Sequence, residues 1–247
     1  GDSIKIFGTI TNLGSVYQRD FQSDSAMSNY FKALSFFERS GNDRNADFIR
    51  NNIGVIYLEM RNYPKALDIL NQVATYRKTN GDEYNLAMTY TNLGNIHKNL
   101  KAYEESENAY LEALKIFQEY EDVYYSATTY NNLATLYNTQ KKSRQAIEYA
   151  LEGLDLAQKA GADYDYALIE SNLAQSYTDL RDYPKSRSYY ISALRHFEEQ
   201  NAEDDIASMC LLMSPVYAAL QIPDSAAFYT ESYVNLNRKL AEQEIQQ

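Results

Sequence analysis

A period of 40 residues runs through the chain and becomes visible when the sequence is aligned with itself. The segments TNLGSVY, NNIGVIY, TNLGNIH, NNLATLY and SNLAQSY begin at residues 11, 51, 91, 131 and 171, with no insertion or deletion between them. A fixed period of about 20–50 residues indicates that one small structural unit is stacked on copies of itself. The repeat therefore predicts an array of units, each packed on its neighbours.

Each unit contains two helical patterns. In YPKALDILNQVATY, which begins at Tyr63, apolar residues three and four positions apart predict one buried helix face. A short polar break with a proline in the next helix's first turn separates the two helices, as at Pro64. Second helices are expected to end at residues that tolerate left-handed backbone, namely Gly41, Gly81, Gly161 and Asn201. The third unit has Glu121 at this position, so we expect this type of helix end not to be universal.

The small and aromatic positions of the two helices form a recognisable pattern. First helices carry Leu-Gly-x-x-Tyr, and second helices carry Ala-x-x-x-Tyr-x-x-Ala, most fully as Ala26, Tyr30 and Ala33. This pattern resembles the tetratricopeptide repeat over nearly the whole chain. It departs from the commonest form of about 34 residues in its length of 40, and it lacks the family's tryptophan. Repeats of this length are similar to those of kinesin light chain, of Rap-type and PlcR-like regulators, and of bacterial sensor proteins.

The resemblance implies an all-α fold, a right-handed superhelix (α-solenoid) of six helix-turn-helix repeats with about twelve antiparallel helices. We assign residues 1–247 to a single solenoid domain. Its expected repeats are approximately 1–40, 41–80, 81–120, 121–160, 161–200 and 201–247, the last acting as a capping repeat. Pro215 lies within the first helix of that last repeat, so we expect this helix to be kinked or to start late.

Asparagine at one position of five successive repeats is the main candidate for function. Inside a helix it costs up to about 0.7 kcal/mol relative to alanine. A carboxamide both donates and accepts, so it can pair with the backbone of an extended peptide. The resemblance implies such an asparagine ladder on the concave face, formed by Asn12, Asn52, Asn92, Asn132 and Asn172. The same side chains could instead bond to a neighbouring helix and serve only the packing of repeats.

Further residues are expected beside the ladder in the peptide-binding groove. They are Asn51, Asn131, Asn95, Tyr90 and Tyr130. The positions around the ladder carry no lysine or arginine, so a site that clamps a terminal carboxylate is not expected.

Composition excludes several other classes of function. The net charge of −11 repels phosphate backbones, so we expect no nucleic-acid partner for this segment. No apolar stretch reaches the roughly 18 residues of a membrane span, so no membrane contact by this segment is expected. His97, His196 and Cys210 form no cluster of catalytic or metal-ligand spacing. We therefore predict no catalytic residue, no metal and no cofactor.

The sequence thus predicts a non-catalytic scaffold that holds a protein or peptide ligand in its groove. A second hypothesis is a sensory or dimerisation domain of a bacterial signal-transduction protein, with its output domain beyond Gln247. This hypothesis allows a homodimer and a membrane anchor that flanks the segment. It places the segment in either the cytoplasm or the periplasm. An enzyme of the Rap phosphatase type is disfavoured, because those relatives add an amino-terminal helical bundle and here the repeats begin at once.

Overall fold

The computed structural model describes residues 2–20 and 22–246, and these residues form twelve α-helices with no strand among them. The helices are α1 (Asp2–Arg19), α2 (Ser23–Arg39), α3 (Asp43–Glu59), α4 (Tyr63–Thr79), α5 (Glu83–Asn99), α6 (Tyr103–Glu119), α7 (Val123–Thr139), α8 (Ser143–Ala160), α9 (Asp163–Asp179), α10 (Tyr183–Glu199), α11 (Glu203–Ala219) and α12 (Pro223–Gln246). The predicted all-α fold of six helical hairpins is confirmed in these ranges.

Every described connection between helices passes through one residue with left-handed backbone. After α2, for example, Gly41 has φ +67°, and the N–H of Asn42 donates to the carbonyl oxygen of Phe37 at 2.9 Å. These bonds satisfy carbonyls that the helix end leaves open. Glu121 has the same geometry with φ 53°. Our expectation that this helix end is not universal was therefore wrong. The left-handed residues are Gly41, Arg61, Gly81, Lys101, Glu121, Lys141, Gly161, Arg181, Asn201 and Gln221.

The chain divides into two compact units, Gly1–Ile116 and Phe117–Gln247. Within the first unit, α3 packs against α2 and α4 and also touches α1 and α5. Within the second unit, α9 packs against α8 and α10 and also touches α7 and α11. Contact between a helix and the helix two places along is what the stacking of hairpins produces, so each unit is built by the same rule.

Glycines in the first helices allow close packing against the second helices. A Cβ atom added at Gly14 would lie 2.8 Å from the ring of Tyr30. At Gly94 it would lie 2.5 Å from the ring of Tyr110. Both tyrosine rings are fully buried. The small residues therefore let the two helices approach closely, and a ring of the partner helix fills the space above each of these glycines.

Pro215 does not delay the start of its helix. α11 begins at Glu203, the position equivalent to the start of α5 and α9, and it runs for 17 residues. The expectation of a late start was wrong. Met213 and Val216, on either side of the proline, are fully buried in a core shared with α10 and α12. Burial of this face outweighs the backbone hydrogen bond that proline removes.

Candidate functional site

The asparagine register lies on the first helix of each hairpin, as predicted. Asn12 is exposed, and the equivalent asparagines on α3, α5, α7 and α9 are half-buried. In α1, Gly14 packs against α2 two residues after Asn12. Residues two apart point about 200° away from each other on a helix, so Asn12 points away from the partner helix. The positions of the register are Asn12, Asn52, Asn92, Asn132 and Asn172.

In the first unit the carboxamides of this register make few hydrogen bonds within the described part of the protein. Asn52 Nδ2 donates to the hydroxyl of Tyr30 at 3.3 Å. That hydroxyl also bonds to Ser15 at 3.0 Å and donates to Gln18 at 3.1 Å. The carboxamide of Asn92 has no hydrogen-bond partner among the described residues. Asn52 and Asn92 therefore keep hydrogen-bonding capacity for a ligand.

Two of the flanking asparagines serve the protein's own contacts. Asn95 Oδ1 accepts from the hydroxyl of Tyr110 at 2.7 Å, which holds α5 to α6. Asn51 Oδ1 accepts from Arg77 at 3.3 Å, which joins α3 to α4. Each carboxamide has further donors and acceptors, so these bonds use only part of its capacity.

In the second unit, Asn172 belongs to a network between α9 and α7. Its Nδ2 donates to Asn131 Oδ1 at 2.7 Å and to Thr135 Oγ1 at 2.9 Å. Asn138 Nδ2 donates to the carbonyl oxygen of Asn172 at 3.0 Å and to its Oδ1 at 3.2 Å. Both N–H groups of Asn172 are thereby used, so at this position the side chain packs one repeat against the next. Asn132, in the repeat before, has no hydrogen-bond partner among the residues described.

The two candidate tyrosines lie against neighbouring helices. Tyr90 is half-buried and packs on a core cluster formed by α4 and α5. Tyr130 is also half-buried, its ring 6.2 Å from that of Tyr149, and its hydroxyl accepts from Gln118 at 3.3 Å. Its Cβ lies 3.0 Å from where a Cβ would stand at Gly153. Each ring keeps part of its surface exposed, so a role in ligand contact stays a prediction.

Two clefts in the first unit share the ring of Phe48, which is 52% exposed. The Asn12 cleft, of about 180 Å³, is lined by Gly8, Asn12 and Phe48 among others. The Asn52 cleft, of about 430 Å³, includes Arg19, Asn52 and Phe48. Each cleft therefore combines a ladder carboxamide with an exposed aromatic ring, a pairing typical of sites that fix a ligand by few polar contacts on an apolar wall.

Sequence reasoning missed a buried ion pair in the first unit. Arg77 Nε donates to Asp47 Oδ2 at 2.9 Å, and each residue is only 5% exposed. Burial raises the pKa of the Asp47 carboxyl, although the hydrogen bond from Arg77 acts in the opposite direction. The signal was available in the repeat alignment, where Ala167 and Phe197 occupy the equivalent positions.

A second polar pair was also missed. His196, for which the sequence indicated no partner, has its Nδ1 3.2 Å from Glu170 Oε2, on the neighbouring helix α9. Glu170 is almost completely buried. Burial raises the pKa of its carboxyl, and hydrogen bonds from Ser192 and His196 offset part of this rise.

No group of three His, Cys, Asp or Glu side chains that could hold a metal ion occurs among the described residues. The thiol of Cys210 is buried, and burial raises its pKa. Within the same described ranges, no helix is both long enough and apolar enough to span a membrane.

Stacked helical hairpins define the class of α-solenoid repeat proteins. Residues 85–159 match the family model of the tetratricopeptide repeat. The resemblance expected from the sequence is thereby confirmed for this segment. No curated protein matches the sequence closely enough to be counted as a relative.

Solved structures share this fold over most of the chain. The apo form of RapI is 16% identical, with 98% of this chain and 86% of that chain covered at a TM-score of 0.78. Aspartyl phosphate phosphatase F from Bacillus subtilis is 15% identical, with 96% and 61% covered and a TM-score of 0.75. The signal transduction ATPase PH0952 from Pyrococcus horikoshii, described as having a tetratricopeptide repeat sensor, is 20% identical, with 96% and 36% covered and a TM-score of 0.73. At these identities the likeness establishes the fold alone.

Proposed function

We propose that this protein is a non-catalytic interaction scaffold that binds an extended peptide segment of a protein partner through its row of asparagines. In the first unit the carboxamides of Asn12, Asn52 and Asn92 contact the peptide backbone. In the second unit Asn132 makes the equivalent contact, and Asn172 serves repeat packing. Carboxamides pair with peptide N–H and C=O groups whatever the ligand side chains are, so the grip depends little on ligand sequence.

The observation that carries the proposal is the combination of asparagine and Phe48 in the two clefts of the first unit. An exposed ring beside polar groups offers an apolar surface that a partner can cover. With Asn12 and Asn52 fixing the backbone, a ligand side chain that packs on Phe48 would add apolar burial to the hydrogen bonds. The ligand is therefore an extended peptide with at least one apolar side chain.

Gly8 supports the same conclusion. It lies in the interior of α1, where glycine costs about 1 kcal/mol relative to alanine. Unlike Gly14, it has nothing within 4 Å of the position of a Cβ atom, so packing does not require it. It does line the Asn12 cleft. We interpret Gly8 as the residue that keeps the cleft open for a ligand side chain.

The test begins with peptides selected from a displayed random library against the wild-type protein. Their affinities for the Asn52→Ala/Asn92→Ala variant are then measured by calorimetry. Loss of two net hydrogen bonds predicts about 10- to 100-fold weaker binding. Gly8→Leu, which fills the Asn12 cleft, is expected to weaken binding of peptides with a bulky apolar side chain. Helix content by circular dichroism checks that both variants fold.

Asn172→Ala is the matched control, because its carboxamide is already engaged with α7. We expect it to keep its affinity for the selected peptides. Unchanged affinity in the Asn52→Ala/Asn92→Ala variant would mean that the asparagines are structural. Failure of any library peptide to bind the folded wild-type protein would contradict the peptide-binding function itself.

A second candidate function is a sensory module within a larger signalling protein. The sensor named in the Pyrococcus horikoshii protein has the same fold, and this chain covers 36% of that protein. The check is the gene sequence on both sides of the segment. An output domain encoded in frame with it would support the sensory function, and a stop codon directly after Gln247 would contradict it. The phosphatase from Bacillus subtilis shares only the fold, so no catalytic role is proposed from it.

A further inference from the structure

The Asp47–Arg77 pair occupies positions that are apolar in another hairpin. The equivalent residues of the fifth repeat are Ala167 and Phe197, both fully buried in one hydrophobic core cluster. A buried ion pair must overcome the cost of removing two charges from water, and an apolar pair of similar volume is often at least as stable. Stability alone therefore does not explain why this hairpin carries charges at these positions.

Each of the two side chains has an unused hydrogen-bonding group. Asp47 accepts from Arg77 Nε only through Oδ2, and its buried Oδ1 has no partner among the described residues. Arg77 Nη1 donates to the carbonyl oxygen of Asn85 and to Thr89 Oγ1, each at 2.8 Å. Arg77 Nη2 has no acceptor among those residues. The cluster thus holds a buried acceptor without a partner, which is costly, and an N–H group of Arg77 that has no acceptor among the described residues.

Both residues line a cavity of about 540 Å³ between α3, the end of α4 and the start of α5. The cavity wall also includes the rings of Phe48 and Tyr76 and the charges of Arg44 and Asp82. Two acidic and two basic side chains give the site no net charge, so it offers no advantage to a charged ligand. A neutral group that both donates and accepts matches the cluster better than a carboxylate or an ammonium group.

We propose that this cavity, which we call the Arg77 cavity, binds a primary carboxamide, that of a glutamine or asparagine side chain on a polypeptide partner. Its oxygen accepts from Arg77 Nη2, and its N–H donates to Asp47 Oδ1. The neighbouring part of the ligand packs on Phe48 and Tyr76. The cavity shares Phe48 with the two clefts described above, but its polar contacts come from Asp47 and Arg77 and not from the asparagine row, so it is tested with different variants.

The experiment uses the full chain and small blocked amino acids as probes. N-acetyl-glutamine methylamide is titrated in, and its affinity for the wild-type protein and for each variant is measured by calorimetry, while the Arg77 Nε–H resonance of the wild-type protein is followed by ¹H–¹⁵N nuclear magnetic resonance. We expect this resonance to shift on saturation. The blocked leucine and blocked glutamate probes should bind at least about tenfold more weakly, because each leaves a buried polar group unsatisfied. Free L-glutamine should also bind more weakly, because its charged backbone does not suit a neutral site on a polypeptide-binding surface.

Two variants separate the proposed site from general effects on folding. Asp47→Ala/Arg77→Phe reproduces the Ala167–Phe197 pair, so it should fold and lose binding of the blocked glutamine. Asp47→Asn keeps the side-chain volume and places an N–H where the acceptor was, so preference should shift from the glutamine to the glutamate probe. Equal binding of the glutamine and leucine probes, or undiminished glutamine binding by Asp47→Ala/Arg77→Phe, would overturn the proposal. Tighter binding of free L-glutamine than of the blocked form would contradict the inference that the partner is a polypeptide.

Discussion

Asp47 and Arg77 depend on each other for the stability of the hairpin that contains them. Both are 5% exposed, and removal of one leaves the other charge buried without its partner. We expect Asp47→Ala alone to lower the free energy of unfolding by about 3–5 kcal/mol. Asp47→Ala/Arg77→Phe should instead be neutral or stabilising by about 1–4 kcal/mol. Urea unfolding measures both, and a double variant less stable than the single one would contradict this account.

Asn132 and Asn172 occupy the same position of adjacent repeats but differ in their bonding. Asn172→Ala removes hydrogen bonds to Asn131 and Thr135 on α7, which should cost about 1–3 kcal/mol. Asn132→Ala removes no such bond and gains up to about 0.7 kcal/mol of helix preference. Thermal unfolding of the two variants checks the difference. Equal losses of stability would show that the hydrogen bonds between α7 and α9 do not contribute to stability.

How much of the site could be predicted differs from residue to residue. The repeat alignment placed the asparagines on first helices, because a helix position repeats wherever its packing repeats. It could not predict that Asn172 bonds to α7 while Asn132 has no partner in the described part of the chain, because a carboxamide pairs with any suitable group within reach. Asn131 and Thr135 face Asn172 only through the way the two helices stack. The alignment marks Asp47 and Arg77 as departures from the repeat, but it does not show that their side chains pair.

The connections between helices are an element-scale feature with its own energetic cost. Left-handed backbone costs a residue other than glycine about 1–2 kcal/mol, and glycine gives part of this back through its freedom in the unfolded chain. Glu121→Gly should therefore stabilise the protein by about 0.5–1 kcal/mol. Glu112→Gly, an exposed position inside α6, should destabilise it by about 1 kcal/mol. Opposite shifts of the urea midpoint are the expected result, and shifts of the same sign would contradict it.

Helices were more predictable than the turns that join them. Apolar spacing and the positions of Pro64 and Gly41 indicated where helices begin and end, and the structure has them there. Arg61 and Glu121 carry no local signal for left-handed backbone. Their conformation follows from hydrogen bonds that close the preceding helix, such as that from the N–H of Asp122 to the carbonyl oxygen of Phe117 at 2.8 Å. Regularity of the repeat therefore overrides residue preference at these turns.

Charge is a property of the whole molecule, with 34 acidic side chains against 23 basic ones. Repulsion among the excess carboxylates opposes the compact state, and protonation relieves it. Burial of Asp47 and Glu170 acts in the same direction, because it raises their pKa above the usual values of 3.8 and 4.5. A carboxyl with a raised folded pKa binds more protons when folded than when unfolded. Its contribution to stability is full below the unfolded pKa and is lost as the pH rises through the folded pKa.

We therefore expect the free energy of unfolding to fall as the pH is raised from about 4.5, the usual pKa of a glutamate carboxyl, towards 7.5. Glu170→Gln should reduce this fall, and Glu112→Gln, at an exposed position, serves as its control.

Salt at about 0.2 M screens exposed charges over roughly 8 Å but leaves a buried carboxyl desolvated. Salt should thus remove the part of the fall in unfolding free energy that comes from net charge and leave the part that comes from Glu170. Lys98 acts oppositely because burial lowers its pKa, so the measurement stops at pH 7.5. A wild-type protein whose stability rises across this window would show that paired carboxylates outweigh the buried ones.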